Sequence, residues 1–229
     1  MQAHDVGRLL SPGADKAGAI PTMYDRPMEG PSTGLTAFIL AGGMSTRMGA
    51  DKAFVMLGGR TLLARLLELA HSVTSDVRIV GDAGKFRSFA PVVEDVFRGR
   101  GPLGGIHAAL RASPTDLNLI LAVDVPFLSP ALLQYLIMRA RTSLDTTVTA
   151  VRGSGSWQPL CAVYRRRFAN PAENALAAGR HKIDALFDRA PTQTISEEEL
   201  ESAGFSPTMF RNLNTREELE AAQAEAGGS

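Results

Sequence analysis

The stretch TAFILAGGMSTRMGADK, residues 36–52, decides the fold class. It opens with an apolar run at residues 37–41, which predicts a buried strand, and the run ends at two adjacent glycines. Adjacent glycines let the backbone approach a ligand closely and direct successive N–H groups at an anion. Arg47 and Lys52 follow and supply two cations suited to phosphate oxygens. The stretch predicts a strand that runs directly into a phosphate-binding turn, with an ordinary Gly-rich turn as the alternative.

Composition excludes several classes of protein. The chain has 229 residues, and 24 Lys and Arg balance 24 Asp and Glu, which argues against a nucleic-acid binder with a broad basic face. One cysteine cannot form an intramolecular disulfide or a Cys-rich metal site. No apolar stretch approaches the roughly 20 residues that span a bilayer. We therefore expect a reduced, cytoplasmic protein that binds neither nucleic acid nor membrane.

Strands and helices alternate along the chain after a leader of different composition. Residues 1–34 hold five Gly and four Pro and predict a disordered N-terminal extension. The strands that follow are predicted near residues 37–41, 77–80, 93, 117–123, 146–151 and 160–164. The helices are predicted at residues 61–71, 105–112, 129–141, 168–178, 183–189 and from 215 onward. This alternation predicts an α/β fold with a mostly parallel sheet and helices on both faces.

Asp124 comes directly after the apolar strand at residues 117–123. In open α/β sheets, ligands bind beyond the carboxyl ends of the strands. A carboxylate in that position suits Mg²⁺, which is commonly shared between one or two carboxylates and substrate phosphates. The alternative is that Asp124 caps the following loop or helix.

A second Gly-rich segment follows Glu94 and Asp95. Gly99, Gly101 and Gly104 fit the Gly-x-Gly-x-x-Gly fingerprint of dinucleotide-binding proteins. However, Pro102 removes an N–H from the turn that would donate to the pyrophosphate. A loop that closes over a base or sugar fits the segment better, and an NAD(P)-binding oxidoreductase is the alternative.

Together these motifs resemble the molybdenum cofactor guanylyltransferases, the MobA-like nucleotidyltransferases, over residues 36–222. The resemblance rests on Leu-Ala-Gly-Gly-x-x-x-Arg-Met-Gly-x-Asp-Lys at 40–52, Glu-Asp at 94–95, Gly-Pro-Leu-Gly-Gly at 101–105, Val-Asp-Val-Pro at 123–126, and Asn-Leu-Asn-Thr at 212–215. It implies a Rossmann-like three-layer α/β/α sandwich of the nucleotide-diphospho-sugar transferase type. One domain would cover residues 35–222, with a nucleotide half at about 35–128, a molybdopterin half at about 129–222, and a flexible tail at 223–229.

The resemblance also implies the reaction and its residues. GMP is transferred from GTP to molybdopterin with release of pyrophosphate, and Mg²⁺ is the cofactor. The implied catalytic residues are Arg47, Lys52 and Asp124, of which Asp124 also binds the metal. The implied GTP-binding residues are Leu40, Ala41, Gly42, Gly43, Lys52, Asp95, Gly104 and Asp124. At the end of the second strand this chain has Gly81 where some relatives carry Asn.

A further set of candidate residues concerns molybdopterin. The candidates are Gln158, Arg180, Lys182 and Asn214, and a solvated basic turn or a helix cap are the competing interpretations. Molybdoenzymes or other proteins of molybdenum cofactor biosynthesis are the expected partners. A cytidylyltransferase of the same superfamily would more often carry Leu-Ala-Ala-Gly at 40–43. A nucleotide-binding adaptor without activity is a third alternative.

Overall fold

The computed structural model describes residues 32–42, 51–97, 99–153 and 155–227. Gly43 and Arg47, both predicted site residues, lie outside these ranges. So do residues 1–31 of the predicted N-terminal extension and the last two residues of the predicted tail.

The order of elements follows the predicted alternation. The strands are β1 (Ser32–Leu40), β2 (Met56–Leu57), β3 (Arg60–Thr61), β4 (Asp76–Val80), β5 (Val92–Val93), β6 (Thr115–Ala122), β7 (Val148–Gly153), β8 (Ser156–Arg165) and β9 (Thr192–Ser196). The α-helices are α1 (Leu62–His71), α2 (Ala83–Phe86), α3 (Pro102–Ala112), α4 (Pro130–Thr142), α5 (Ala169–Ala177), α6 (Asp184–Phe187), α7 (Glu197–Ser202) and α8 (Arg216–Gly227).

Seven of the described strands form one sheet in the order β5-β4-β1-β6-β8-β7-β9. Strands β5, β4, β1 and β6 pair in parallel, β8 runs antiparallel to both of its neighbours, and β9 is parallel to β7. The chain moves outward from β1 through β4 to β5 and then returns to the other side of β1 as β6. The gap between β1 and β6 is therefore the point where the strand order reverses, which is where such sheets bind ligands.

Helices cover both faces of the sheet. Ala37 and Ile39 of β1 pack into a core with the leucines of α1 and α4, whereas Phe38 and Leu40 pack into a second core with α3 and α5. Because both faces are buried, β1 is a continuous apolar run instead of an alternating one. The predicted mostly parallel three-layer α/β/α sandwich is confirmed.

The cap residues explain where several helices begin. Thr61 accepts a hydrogen bond from the Ala64 N–H at 3.1 Å, and Ser129 accepts one from the Leu132 N–H at 3.2 Å. At α8, Glu218 N–H donates to Thr215 Oγ1 and Thr215 N–H donates to the Glu218 carboxylate, which together form a capping box.

Some boundaries differ from the predicted ones. Helix α3 begins at Pro102 instead of residue 105, because proline at the first helical position needs no N–H partner. Strand β1 starts at Ser32, before the predicted domain boundary at residue 35, and α8 continues to Gly227 through the tail predicted at 223–229. Helices α2 and α7, strand β9 and the two-residue strands β2 and β3 were not predicted from the sequence. Within the described ranges, no helix is long and apolar enough to span a membrane.

A buried position in the central sheet should dominate stability. Leu119 of β6 is completely buried, whereas Leu144 is 70% exposed. We expect Leu119→Ala to lower the free energy of unfolding by about 2–5 kcal/mol, because it removes buried methyl groups and leaves a cavity. Leu144→Ala should change it by less than about 0.5 kcal/mol. Urea denaturation of the two variants would measure this difference, and equal losses would contradict the assignment of the core.

Candidate active site

A cleft of about 1010 Å³ opens at the carboxyl ends of the parallel strands. Its floor comes from the residues that follow β1, β4, β5 and β6, so the strand-end positions meet at one edge, as parallel pairing requires. The described residues that line it include Leu40, Ala41, Gly42, Asp51, Lys52, Val80, Gly81, Asp82, Glu94, Asp95, Gly99, Gly101, Pro102, Gly105, Val123, Asp124, Leu160 and Asn214. Of the predicted GTP-binding residues that the structure describes, all except Gly104 are in this lining.

Backbone hydrogen bonds continue past the ends of the paired strands and connect the loops that form the floor of the cleft. The Ala41 N–H donates to the Val80 carbonyl at 3.0 Å, and the Val123 N–H donates to the Leu40 carbonyl at 3.3 Å. The turn after β1 and the loop that carries Asp124 are thereby fixed side by side. A Cβ on Gly42 would make only ordinary contacts, at 3.8 Å from the Val80 carbonyl oxygen.

The Lys52 ammonium lies between two acceptors from distant parts of the chain. Its Nζ is 3.2 Å from Asp124 Oδ2 and 2.7 Å from Asn214 Oδ1. The Lys52 and Asp124 side chains are 19% and 25% exposed, so the pair is open to the cleft but largely enclosed. The sequence placed Lys52, Asp124 and Asn214 in three separate motifs, and the fold brings them into direct contact.

Asp51, which the sequence analysis did not single out, connects the start of this segment to α2. Its Oδ1 accepts the Ala53 N–H at 3.2 Å, and its Oδ2 accepts Lys85 Nζ at 3.0 Å. This hydrogen bond raises the pKa of Lys85 above its usual value. Asp51 directly precedes Lys52 at the end of the first motif. Its place in that motif was the sequence feature that could have identified it as a site residue.

Asp95 lies against the first turn of α3. Its Oδ1 accepts the Phe97 N–H at 2.7 Å, and a Cβ on Gly104 would come within 2.6 Å of its Oδ2. Gly104 is buried and leaves room for the Asp95 carboxylate, whereas its neighbours Pro102 and Gly105 line the cleft.

The other predicted molybdopterin-binding residues do not line the cleft. Gln158, Arg180 and Lys182 are not part of its lining, and Arg180 and Lys182 are exposed. The basic turn at residues 180–182 nevertheless contacts the Gly-rich segment at residues 99–105, because Arg100 Nη1 lies 3.3 Å from His181 Nε2.

Two side chains that can take part in chemistry, His107 and Cys161, are instead buried in the protein. His107 is 4% exposed and has its ring edge-on to Phe97, and burial lowers its pKa against the opposing effect of the Glu173 carboxylate. Cys161 lies inside β8, where burial raises the pKa of its thiol to about 12. A thiol with that pKa supplies almost no thiolate at neutral pH, so it does not serve as a nucleophile.

The cleft suits a metal ion that is shared with a substrate. Among the described residues, no group of three or more His, Cys, Asp or Glu side chains forms a metal-binding cluster. Asp124 offers one hard oxygen donor at the edge of the cleft. That donor set fits Mg²⁺ bound by one carboxylate together with substrate phosphate oxygens and water.

The family comparisons agree with this geometry. The model of the MobA-like NTP transferase domain matches residues 37–194. The molybdenum cofactor guanylyltransferase of Desulfosudis oleivorans is 38% identical over 193 residues, which cover 83% of this chain and 95% of that protein. The chain belongs to the MobA-like NTP transferase family. It is therefore a nucleotidyltransferase, and the NAD(P)-linked oxidoreductase alternative is wrong.

Solved structures place the fold in the same group. Molybdopterin-guanine dinucleotide biosynthesis protein A from Archaeoglobus fulgidus superposes with a TM-score of 0.75 at 26% identity, covering 85% of this chain and all of that one. The 2-C-methyl-D-erythritol 4-phosphate cytidylyltransferase of Thermus thermophilus has a TM-score of 0.60 at 16% identity, with 83% and 98% of the two chains covered. At 16% identity, the similarity to the cytidylyltransferase shows a shared fold and nothing about activity.

Gly81, directly after β4, packs closely against a buried aromatic ring. A Cβ at this position would lie 2.9 Å from two ring carbons of Phe86, which is itself only 2% exposed. An asparagine side chain therefore has no room here unless the Phe86 ring moves.

We expect Gly81→Ala to lower the free energy of unfolding by about 1–3 kcal/mol, because the buried ring must shift. Gly42→Ala, on the same floor of the cleft but with ordinary contacts, should change it by less than about 0.5 kcal/mol. Thermal and urea unfolding of both variants test this. A Gly81→Ala variant as stable as the wild type would show that the Phe86 ring can shift without a loss of stability, which would contradict this prediction.

Proposed function

We propose that this protein transfers GMP from GTP to molybdopterin and releases pyrophosphate. The observation that carries the proposal is the convergence of the Ala41–Gly42 turn, Lys52 and Asp124 at the switch point of the sheet. The match to the MobA-like domain and the similarity to molybdenum cofactor guanylyltransferases support the same activity.

In the proposed reaction, a phosphate oxygen of molybdopterin attacks the α-phosphorus of GTP. The new P–O bond forms as the bond from the α-phosphorus to the bridging oxygen of the β-phosphate breaks, and pyrophosphate leaves with that electron pair. The attacking oxygen is already anionic at neutral pH, so no general base is needed. The protein's task is to position two anions and to stabilise the negative charge that develops on the leaving group.

The charged residues divide this task. Lys52 faces the cleft and would neutralise the β- and γ-phosphates, together with Arg47 from the preceding segment. Leu40, Ala41, Gly42 and Gly43 would provide backbone contacts to the nucleotide.

Asp124 would hold Mg²⁺ at the α-phosphate. When bound, Mg²⁺ supplies positive charge that polarises the phosphoryl group.

Asp95 and the first turn of α3 would contact the guanosine part of the nucleotide, with Gly104 leaving room for the Asp95 carboxylate. Gln158, Arg180, Lys182 and Asn214 are proposed for molybdopterin, which would enter from the half of the domain at about 129–222. The cytoplasmic location, the division into two halves, and contacts with molybdoenzymes or other biosynthetic proteins stay predictions.

Removal of the Asp124 carboxylate should stop turnover without unfolding the chain. We expect Asp124→Ala to lower the rate of pyrophosphate release by about 10²- to 10³-fold, the loss typical of one electrostatic contact to the transition state. Asp145→Ala, which removes an exposed carboxylate from the loop after α4, is the matched control and should keep the wild-type rate. Near-wild-type turnover by a folded Asp124→Ala protein would refute the metal-binding role.

Base selectivity can be tested by ligand-dependent melting in the presence of Mg²⁺. At 100 times its Kd, a nucleotide should stabilise the folded protein by about 2.7 kcal/mol. We expect GTP to raise the melting temperature, with smaller effects from CTP and ATP and none from NADH. Selective stabilisation by CTP would assign the chain to cytidylyl transfer. GTP binding without pyrophosphate release in the presence of Mg²⁺ and molybdopterin would instead indicate an inactive adaptor.

A further inference from the structure

Asn214 contacts the nucleotide side of the site, although the sequence assigns it to molybdopterin. Its side-chain oxygen accepts the Lys52 ammonium at 2.7 Å across 162 residues of sequence. This contact is shorter than the 3.2 Å separation between the same ammonium and Asp124. The amide oxygen of Asn214 is thus engaged by the Lys52 ammonium.

The backbone around Asn214 is anchored on both sides. The Leu213 N–H donates to the Asp124 carbonyl at 2.9 Å, and the Leu213 side chain is 1% exposed. On the other side, the Asn214 N–H donates to Glu218 Oε2 at 2.6 Å. The position of the Asn214 amide therefore follows from the loop of Asp124 and from the first turn of α8.

Lys52 and a divalent cation compete for Asp124. If this carboxylate turns to a metal ion, Lys52 loses its charged partner, and its flexible four-carbon stem could carry the ammonium away from the cleft. A neutral acceptor such as Asn214 would still hold the ammonium at the cleft. An ammonium has three N–H donors, so this contact does not use up its capacity. Asn214 can occupy one of them and leave the other two for phosphate oxygens.

We propose that Asn214 is a positioning residue that holds the Lys52 ammonium in place for the β- and γ-phosphates of GTP. The inference rests on the proposed function and extends it, because it gives a residue of the C-terminal segment a role in nucleotide binding. Asn214 acts through Lys52 and need not touch the nucleotide itself.

Glu218 extends the same chain of contacts by one step. Its carboxylate accepts the N–H groups of Asn214 and Thr215, and these two hydrogen bonds lower its pKa below the usual value. The capping box of α8 thereby fixes the backbone of Asn214 as well as the start of the helix.

The test is nucleotide binding by the full chain without molybdopterin, measured by calorimetry with GTP and with GMP. Asn214→Ala should raise the Kd for GTP about 3- to 10-fold, the size of one ordinary net hydrogen bond, because Asn214 acts on the nucleotide only through Lys52. The Kd for GMP should stay within about twofold, because GMP lacks the phosphates that Lys52 would contact. Asn212→Ala, an exposed asparagine in the same turn, is the matched control and should change neither value.

Equal binding of GTP by wild type and Asn214→Ala would overturn the inference, and so would an equal loss for GTP and GMP, which would indicate general disruption of the cleft. Failure of the wild-type protein itself to bind GTP would instead overturn the proposed function, and the inference with it. The two failures are therefore distinguishable in one set of titrations.

Variants of α8 provide a second, independent comparison. Glu218→Ala should raise the Kd for GTP in the same direction by about threefold, because Asn214 loses one backbone anchor. Glu218→Gln should bind GTP as the wild type does, since glutamine also completes a capping box. Glu217→Ala removes an exposed carboxylate from the same turn and should have no effect. A loss in Glu217→Ala as large as in Glu218→Ala would contradict the role of the anchor.

Discussion

The site depends on the register between β1 and β6. Parallel pairing of Leu40 with Ala122 places the turn after β1 directly beside the loop that carries Asp124. A shift by one residue would exchange the two faces of β1 and direct Phe38 and Leu40 into the wrong core. The packing of both cores thus fixes which residues meet at the switch point, and the geometry of the cleft follows from hydrophobic burial.

The charge of the cleft explains why a triphosphate would enter together with a cation. The described lining includes five carboxylates but only one basic side chain, Lys52, and that side chain is already paired with Asp124. The carboxylates of the described lining would repel a bare triphosphate at short range. A metal-bound triphosphate carries less negative charge, and its cation can use the carboxylate that Lys52 now shares. A cation brought by the ligand would therefore offset the described carboxylates, in addition to the charge of Arg47, which lies outside the described residues.

The sequence predicts the parts of the fold that rest on local pattern. Strand β6 and helix α1 follow from continuous or periodic apolar residues, and Asp124 follows from its position after a buried strand. Strand β9 was missed because its residues, Thr192–Ser196, include only one fully buried apolar side chain, Ile195. Such an edge strand is specified by its partner β7, which local pattern cannot reveal. The same limit applies to Lys52 and Asn214, whose contact exists only in the folded chain.

The contact between Lys52 and Asn214 also bears on the division of the domain into two functional halves. Leu213 binds the backbone of Asp124, and Asn214 binds the side chain that pairs with Asp124. The segment before α8 therefore forms hydrogen bonds with residues of the predicted nucleotide half, although it lies near the other end of the sequence. A molybdopterin that approached Asn214 would meet a group already coupled to Lys52. In this arrangement molybdopterin and the nucleotide would both contact the Lys52 ammonium, one through Asn214 and the other directly. Their binding free energies would then be linked through Lys52.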